Sequence, residues 1–263
     1  MIYIESGAAN TDVPVVLYDN ILLDGTLTGT EASGFPKENA VTGTTWDYWQ
    51  APDAATRSIG VDLSSQTFAN CLFVDAHDIA TVGADIKVQY STDGGSVWQD
   101  ASDWYTPTDN TPIMILFSGV TGNSWRMQTR NGPPKIGVIM LGNKLPFEYG
   151  TEDMVSFRHG ERTEVMGGNS IGGQFLGQKI RRKGGNTSFS FPWLTADWVN
   201  NDMAMFEAHY NDGKPFGMAL RPSYDADELA YCWRPDGGGE LRPQYQMKGV
   251  SFSMNMQVDY YVS

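Results

Sequence analysis

The chain has 263 residues, of which eighteen are basic and thirty-one acidic, for a net charge of −13. That balance excludes a phosphate-reading surface, which needs clustered Lys and Arg, and suits a soluble protein that repels polyanions. Two cysteines, Cys71 and Cys232, are too few for a disulfide framework and too widely spaced for a zinc site, so both are expected as buried free thiols.

At this length two domains of roughly 100–150 residues are expected. The opening MIYIESGAANTD lacks the basic start and apolar core of a signal peptide. No window approaches the ~18 apolar residues of a membrane span. A soluble product of the cytoplasm is the expectation.

Residues 15–145 break into short apolar runs: VVLYD, TRSIGVDLS, NCLFVDAHD, ADIKVQYS, TPIMILFSG, SWRMQTR and KIGVIMLG. None carries a helical repeat. Most have a period of two, or are short continuous runs, as expected of strands buried against a second sheet. Asp93-Gly94-Gly95 suits a tight turn, because these residues tolerate positive φ. The reading is an all-β sandwich over 1–145.

The segments ENAVTGTTWDYW (38–49), SIGVDLSSQTFANCLFVDAHDI (58–79), GADIKVQYSTDGGSVW (83–98) and SWRMQTRNGPPKIGVIMLGN (124–143) carry a resemblance. In this order they resemble the galactose-binding-like (discoidin, or coagulation-factor type C) domains over about 110 residues. The resemblance implies a jelly roll whose loops at one end bind sugars or phospholipid, often beside a structural calcium. The family run Asn-Ala-x-Asp-Gly, then Thr-x-Trp, appears here as Asn39, Ala40, Val41, Thr42, Gly43, Thr45 and Trp46. Thr42 replaces the carboxylate, a hard oxygen ligand, so only backbone carbonyls remain for an ion. No metal site and no cofactor is expected.

The aromatics divide by context. The family pattern puts Trp46 in the core, and Trp98 and Trp125 lie in strand-like runs and are expected there too. Tyr48 and Trp49 stay open between edge cover and sugar platform. Trp104 and Tyr105, in the polar DWYTPTDN, are exposed candidates, since sugar C–H faces stack on exposed rings. The candidate carbohydrate residues are therefore Tyr48, Trp49, Trp104 and Tyr105. The resemblance gives His77 a packing and loop hydrogen-bonding role.

After Asn143 the texture changes, and LGNKLPFEYG reads as the link to a second domain, 146–263. Residues 159–186 hold eight glycines and a basic knot, Lys179, Arg181, Arg182 and Lys183, in an acidic chain. A loop or extended hairpin this long is usually functional. Here it reads as an interface arm that reaches an acidic neighbouring copy. TSFSFPW, KPFGMALR and ELAYCWR add strand candidates to this domain.

One helix is expected near 195–210. Thr195 caps it, Asn211-Asp212-Gly213 ends it, and Trp198, Val199, Met203, Phe206 and Tyr210 form its apolar stripe. From Val250 to Tyr260 strict alternation predicts a long strand, with Val250, Phe252, Met254, Met256, Val258 and Tyr260 on one face.

A β-barrel or sandwich with one flanking helix, an arm and a long half-polar strand resembles the distal tail and tail-tip proteins of long-tailed phages. The resemblance implies a structural virion protein, made in the host cytoplasm, that forms a ring at the end of the tail tube, and a ring of six copies is expected. Its partners would be further copies, tube and hub proteins and a host-surface glycan, with no membrane and with DNA only in passage. Residues 1–145 carry −9 and residues 146–263 carry −4, so most of the acidity lies outside such a ring. The alternative is a free carbohydrate-binding protein or adhesin, or an accessory module of a polysaccharide-degrading system.

No enzyme is expected. The three histidines have no ligand spacing and no nucleophile or phosphate-binding signature occurs. Asp225, Asp227 and Glu228 read as a solvated turn.

Overall fold

The computed structural model describes residues 1–152, 156–246 and 251–262, without the side chains of residues 181 and 182. The strands in chain order begin with β1 (Ile2–Ile4), β2 (Val15–Leu17), β3 (Thr26–Gly29), β4 (Trp49–Gln50) and β5 (Arg57–His77). They continue with β6 (Asp85–Ser91), β7 (Gln99–Asp100), β8 (Ile113–Arg130), β9 (Lys135–Gly142) and β10 (Leu145–Pro146). Then follow β11 (Glu161–Asn169), β12 (Phe175–Thr195), α1 (Ala196–Asn201), α2 (Ala204–Asn211) and β13 (Phe216–Ala219). The chain closes with β14 (Leu229–Trp233), β15 (Gln244–Gln246) and β16 (Ser251–Tyr260). The protein is predominantly β, as its patterning predicts. Among the described residues no helix is long and apolar enough to cross a membrane.

Two compact units emerge, and they are not the halves a single cut after residue 145 would make. The first holds Met1–Gly150 together with Pro215–Tyr231, and the second holds Thr151–Lys214 and Cys232–Val262. KPFGMALR, expected in the second domain, therefore supplies β13 to the first. There it pairs antiparallel with β2, Met218 opposite Val16.

The first unit is a sandwich because its two longest strands change sheets partway. The early half of β5 pairs with β3 and with the late half of β8, Val61 opposite Trp125. Register shifts after Asp62 and after Ala69 break the ladder. The late half of β5 then pairs with β9 and with the early half of β8. Such irregularities let one strand turn a corner and serve both sheets. The core between them includes Ile59, Val61, Leu72, Val74, Ile86, Val88, Phe117 and Trp125, all fully or almost fully buried.

Asn20 ties the edge of this core from within. Its amide donates to the Ile139 carbonyl at 3.0 Å and its oxygen accepts from the Leu141 N–H at 3.1 Å. On the reverse face of the second sheet, the Phe73 ring stacks on Tyr231 with 5.9 Å between centroids. A Cβ on Gly217 would meet the Phe73 ring at 2.7 Å, so only glycine admits this approach. Cys71 is buried here as a free thiol, and burial pushes its pKa up to about 12.

In the second unit β11, β12 and β16 run antiparallel in that order, and β15 and the end of β14 also pair with β16. Among the described residues this is an open sheet and not a closed barrel. The alternation of β16 is as read: Phe252, Met254, Met256, Val258 and Tyr260 are buried. Val250, the first residue of that pattern, lies outside the described residues.

The expected single helix is two. Thr195 caps α1 through the Trp198 N–H at 3.3 Å, but at Met203 the backbone N–H also reaches back to the Trp198 carbonyl, and the helix breaks before α2. The apolar stripe survives the break, since Trp198, Val199, Met203, Phe206 and Tyr210 are all buried.

Candidate functional site

The segment around Asp93 is the pinned loop of a short hairpin, in which β6 pairs antiparallel with β7, Tyr90 opposite Gln99. The Asp93 carboxylate accepts from Ser91 Oγ and from the Ser96 and Val97 N–H groups, which holds its pKa below the usual carboxylate value. Gly94 and Gly95 take φ of +74° and +84°. Trp98 leaves this loop half-exposed, against the expectation of core burial, while Trp125 is fully buried as expected.

The WDYWQ stretch departs from its reading in an instructive way. The indole that fills the core is Trp49, 0% exposed, because β4 pairs with β9 at Ile136 and turns that side chain inward. Its Nε1 donates to the Thr30 carbonyl at 2.9 Å, which leaves no free face for a sugar. Trp46, assigned to the core by the family pattern, is instead 76% exposed. Tyr48 is half-buried and stacks on Phe35, with 4.8 Å between centroids and 15° between planes. The Lys135 ammonium lies 5.3 Å from the Tyr48 ring centre.

The loop carrying Trp46 is fixed on both sides. The Tyr231 hydroxyl donates to the Gly43 carbonyl at 2.8 Å, and Asn39 Nδ2 donates to the Tyr48 carbonyl at 3.1 Å. Between them the Thr42 and Thr44 hydroxyls lie 2.9 Å apart. Nearby in sequence, Lys37 donates through its backbone N–H to Glu31 at 2.9 Å and pairs with Glu31 and Glu38 through its ammonium. The loop thus carries the Phe35–Tyr48 stack and, two residues before Tyr48, the exposed Trp46, with charged and hydroxyl residues close in sequence. Such a ridge offers a stacking surface plus groups that fix orientation.

Trp104 and Tyr105, the other two candidates, are half-buried and lie apart from each other in role. The Tyr105 ring stacks on Tyr3 at 5.0 Å and its hydroxyl donates to the Met1 sulfur at 2.8 Å. Burial pushes its phenol up to about 12. Trp104 faces Arg130 and Lys87, whose charged ends lie 4.1 and 4.9 Å from the ring centre. His77 is structural: Nε2 donates to the Thr111 carbonyl at 3.0 Å and Nδ1 accepts from the Ile79 N–H.

Of the basic knot, Lys179 and Lys183 are exposed on β12, and the side chains of Arg181 and Arg182 lie outside the described residues. Asp225 accepts from the Asp227 N–H in a turn, but Glu228 beside it is buried instead of solvated. Among the described residues no group of three or more His, Cys, Asp or Glu is placed to hold a metal ion.

No family model and no curated protein matches the chain. Solved structures do show similarity over about half of it. The chitosan-binding module 1 of a chitosanase/glucanase from Paenibacillus sp. IK-5 is 21% identical, covering 47% of this chain and 98% of that one with a TM-score of 0.39. A CBM32 module produced by Clostridium perfringens is 19% identical over 47% of this chain and 98% of its own, with a TM-score of 0.41. A pectin-binding carbohydrate-binding module is 18% identical over 44% and 88%, with a TM-score of 0.38.

Proposed function

We propose that the first unit is a carbohydrate-binding module and that its loop ridge is the binding surface. The observation that carries this reading is Trp46, a large ring left 76% exposed at the apex of a loop whose two sides are hydrogen-bonded in place. A ring held ready loses little conformational freedom when a sugar stacks on it. Phe35 and Tyr48 extend the platform, and Lys135, Thr44 and Glu31 supply donors and acceptors. Tyr48 remains a candidate from the sequence, whereas Trp49 does not. Binding, and not catalysis, is what these groups support.

A single shallow site of this kind gives affinities in the micromolar-to-millimolar range. Trp46→Ala is expected to weaken binding at least about tenfold, the equivalent of about 1.4 kcal/mol, with an unchanged melting temperature. Titration of the hits from a glycan array decides it. Undiminished affinity in the variant removes the ridge from the site.

A second reading, a ring-forming tail-tip subunit that carries this module to a host surface, is favoured by one observation in the second unit. The β11–β12 hairpin is exposed along β11 and along β12 up to Ile180, and Val165, Met166, Ile171, Phe175, Leu176 and Ile180 lie open on it. An isolated two-stranded hairpin is marginal in water, and one with this much open apolar surface fits a partner. Further copies of the chain are the partner this reading requires. Several linked modules would then turn weak single-site binding into useful avidity.

A further inference from the structure

We propose that the first unit carries a second glycan-binding surface, on the outer face of β6 and β8, and that its ligand is an extended, uncharged glycan chain. The proposal rests on the reading of this unit as a carbohydrate-binding module, but not on the loop ridge.

The alternation of β6 sends Ile86, Val88 and Tyr90 toward the core and Asp85, Lys87, Gln89 and Ser91 to the other face. Across the ladder these four stand opposite Arg130, Gln128, Arg126 and Ser124 of β8. Asp100 of β7 stands opposite Gln89. An outer face of charged residues is ordinarily well hydrated, yet Lys87 and Gln89 are each only 8% exposed. Trp104 lies against Lys87, and Trp98 lies against Arg126, the residue opposite Gln89. The Arg126 guanidinium lies 3.9 Å from the Trp98 ring centre, and Arg130 and Lys87 lie against Trp104.

The polar groups form one connected row. Lys87 Nζ and Gln89 Nε2 both donate to Asp100 Oδ1, at 2.7 and 2.5 Å, and Gln89 Oε1 accepts from Arg126 Nε at 2.8 Å. Farther along, Asp85 accepts from Arg130, Asn131 and Thr106, so both of its oxygens are engaged. What remains is specific. Asp100 Oδ2, the two terminal nitrogens of Arg126 and the Gln128 amide have no hydrogen-bond partner among the described residues. Asp100 and Arg126 are held by the row, and they and Gln128 are left with unused donor and acceptor capacity.

That inventory selects a ligand. A guanidinium fork offers two parallel N–H groups, a carboxylate oxygen accepts from a hydroxyl, and an amide does both, which together match neighbouring hydroxyls of a sugar. Trp98 and Trp104 are each partly exposed, which leaves ring surface for a sugar to stack on. Arg126 and Arg130 are four residues apart on one strand face, so the polar row from one to the other runs for about 14 Å. That is longer than one sugar ring and calls for a chain. The face carries two carboxylates against three cations, almost balanced, on a unit whose wider surface is acidic. Neither a polyanionic nor a polycationic glycan is favoured by such a balance.

The test uses the full chain, an array of neutral polysaccharides with polyuronate and chitosan controls, and titration of the neutral hits. Compared are wild type, Trp46→Ala, Trp98→Ala/Trp104→Ala and Arg126→Gln, with melting curves for each. If the double Trp variant is poorly folded, Arg126→Gln and Asp100→Asn decide alone, since both leave a polar side chain on the sheet face and Asp100→Asn also preserves size. The expected result is at least a tenfold loss for a neutral oligosaccharide in the sheet-face variants, with part of the binding surviving in Trp46→Ala. Loss of all binding in Trp46→Ala with unchanged sheet-face variants overturns the second surface and leaves the ridge. Binding of the charged controls through this face in preference to neutral chains overturns the ligand class. Absence of binding to every glycan overturns this surface and the ridge together.

Discussion

At the scale of single residues, Asp75 and His77 show how two neighbours on β5 set opposing pH dependences. Asp75 Oδ1 accepts from the Ala76 N–H at 2.6 Å, while Oδ2 is buried with no partner. Burial raises its pKa from 3.8 to about 7, against the smaller pull of the Ala76 N–H and the chain's amino group. Burial likewise lowers His77 from 6.5 to about 4. Between pH 4 and 7 the folded protein keeps an Asp75 proton that the unfolded chain has released, so this group's contribution falls as pH rises. Between pH 4 and 6.5 the unfolded chain binds a His77 proton that the folded protein does not, so that contribution rises with pH. The two offset each other in wild type. Asp75→Asn removes the first and leaves the second, so the variant's stability climbs from pH 4 to 6.5. By pH 8 it exceeds wild type by about 1–3 kcal/mol, because the full linkage of roughly 4 kcal/mol is partly returned by an amide left without a partner. Urea melts across this range check it: equal curves at pH 8 would mean that Asp75 is not a buried ionised group there.

At the scale of elements, the β11–β12 hairpin and β16 mark two extremes of legibility. The strict alternation of β16 dictates which face is buried, because a strand places successive side chains on opposite sides whatever it packs against. The hairpin has no such code. Glycines and charges announce a long excursion, but only pairing shows it as a ladder, with Val165 opposite Ile180 and a bulge beside Glu164. Residues 161–183 hold five basic and two acidic side chains in a chain of net −13, and β11 is the sheet's edge strand. In the tail-tip reading, the open apolar residues and this charge join copies. Ile171→Ser/Phe175→Ser/Leu176→Ser is expected to shift sedimentation toward the monomer and to change folding stability by no more than about 0.5 kcal/mol. An unchanged oligomer distribution takes the arm out of the interface. The two short helices fall between these extremes. Their buried stripe is written in the sequence, but the break at Met203 is not, since it shows only in the hydrogen bonds, where the Asp202 and Met203 N–H groups share the Trp198 carbonyl.

At the scale of the whole molecule, the return of Pro215–Tyr231 to the first unit changes what a stable fragment is. Residues 1–150 alone would lack β13 and Tyr231 and would bare Phe73, whose ring packs against both. That fragment is expected to aggregate or melt well below the full chain, because opening a buried aromatic cluster costs about 3–5 kcal/mol. A soluble, sharply melting 1–150 would show that the returning segment is dispensable. The sequence alone determined the strand-rich class, the buried stripes and the free thiols, because these follow from local periodicity and composition. Only the tertiary structure decided that Trp49 fills the core while Trp46 stands outside it. It alone placed Trp98 and Trp104 over a row of cations, and gave β13 to the first unit. Each of these depends on which distant strand a segment pairs with, and a two-residue strand such as β4 carries too few side chains to announce its partner.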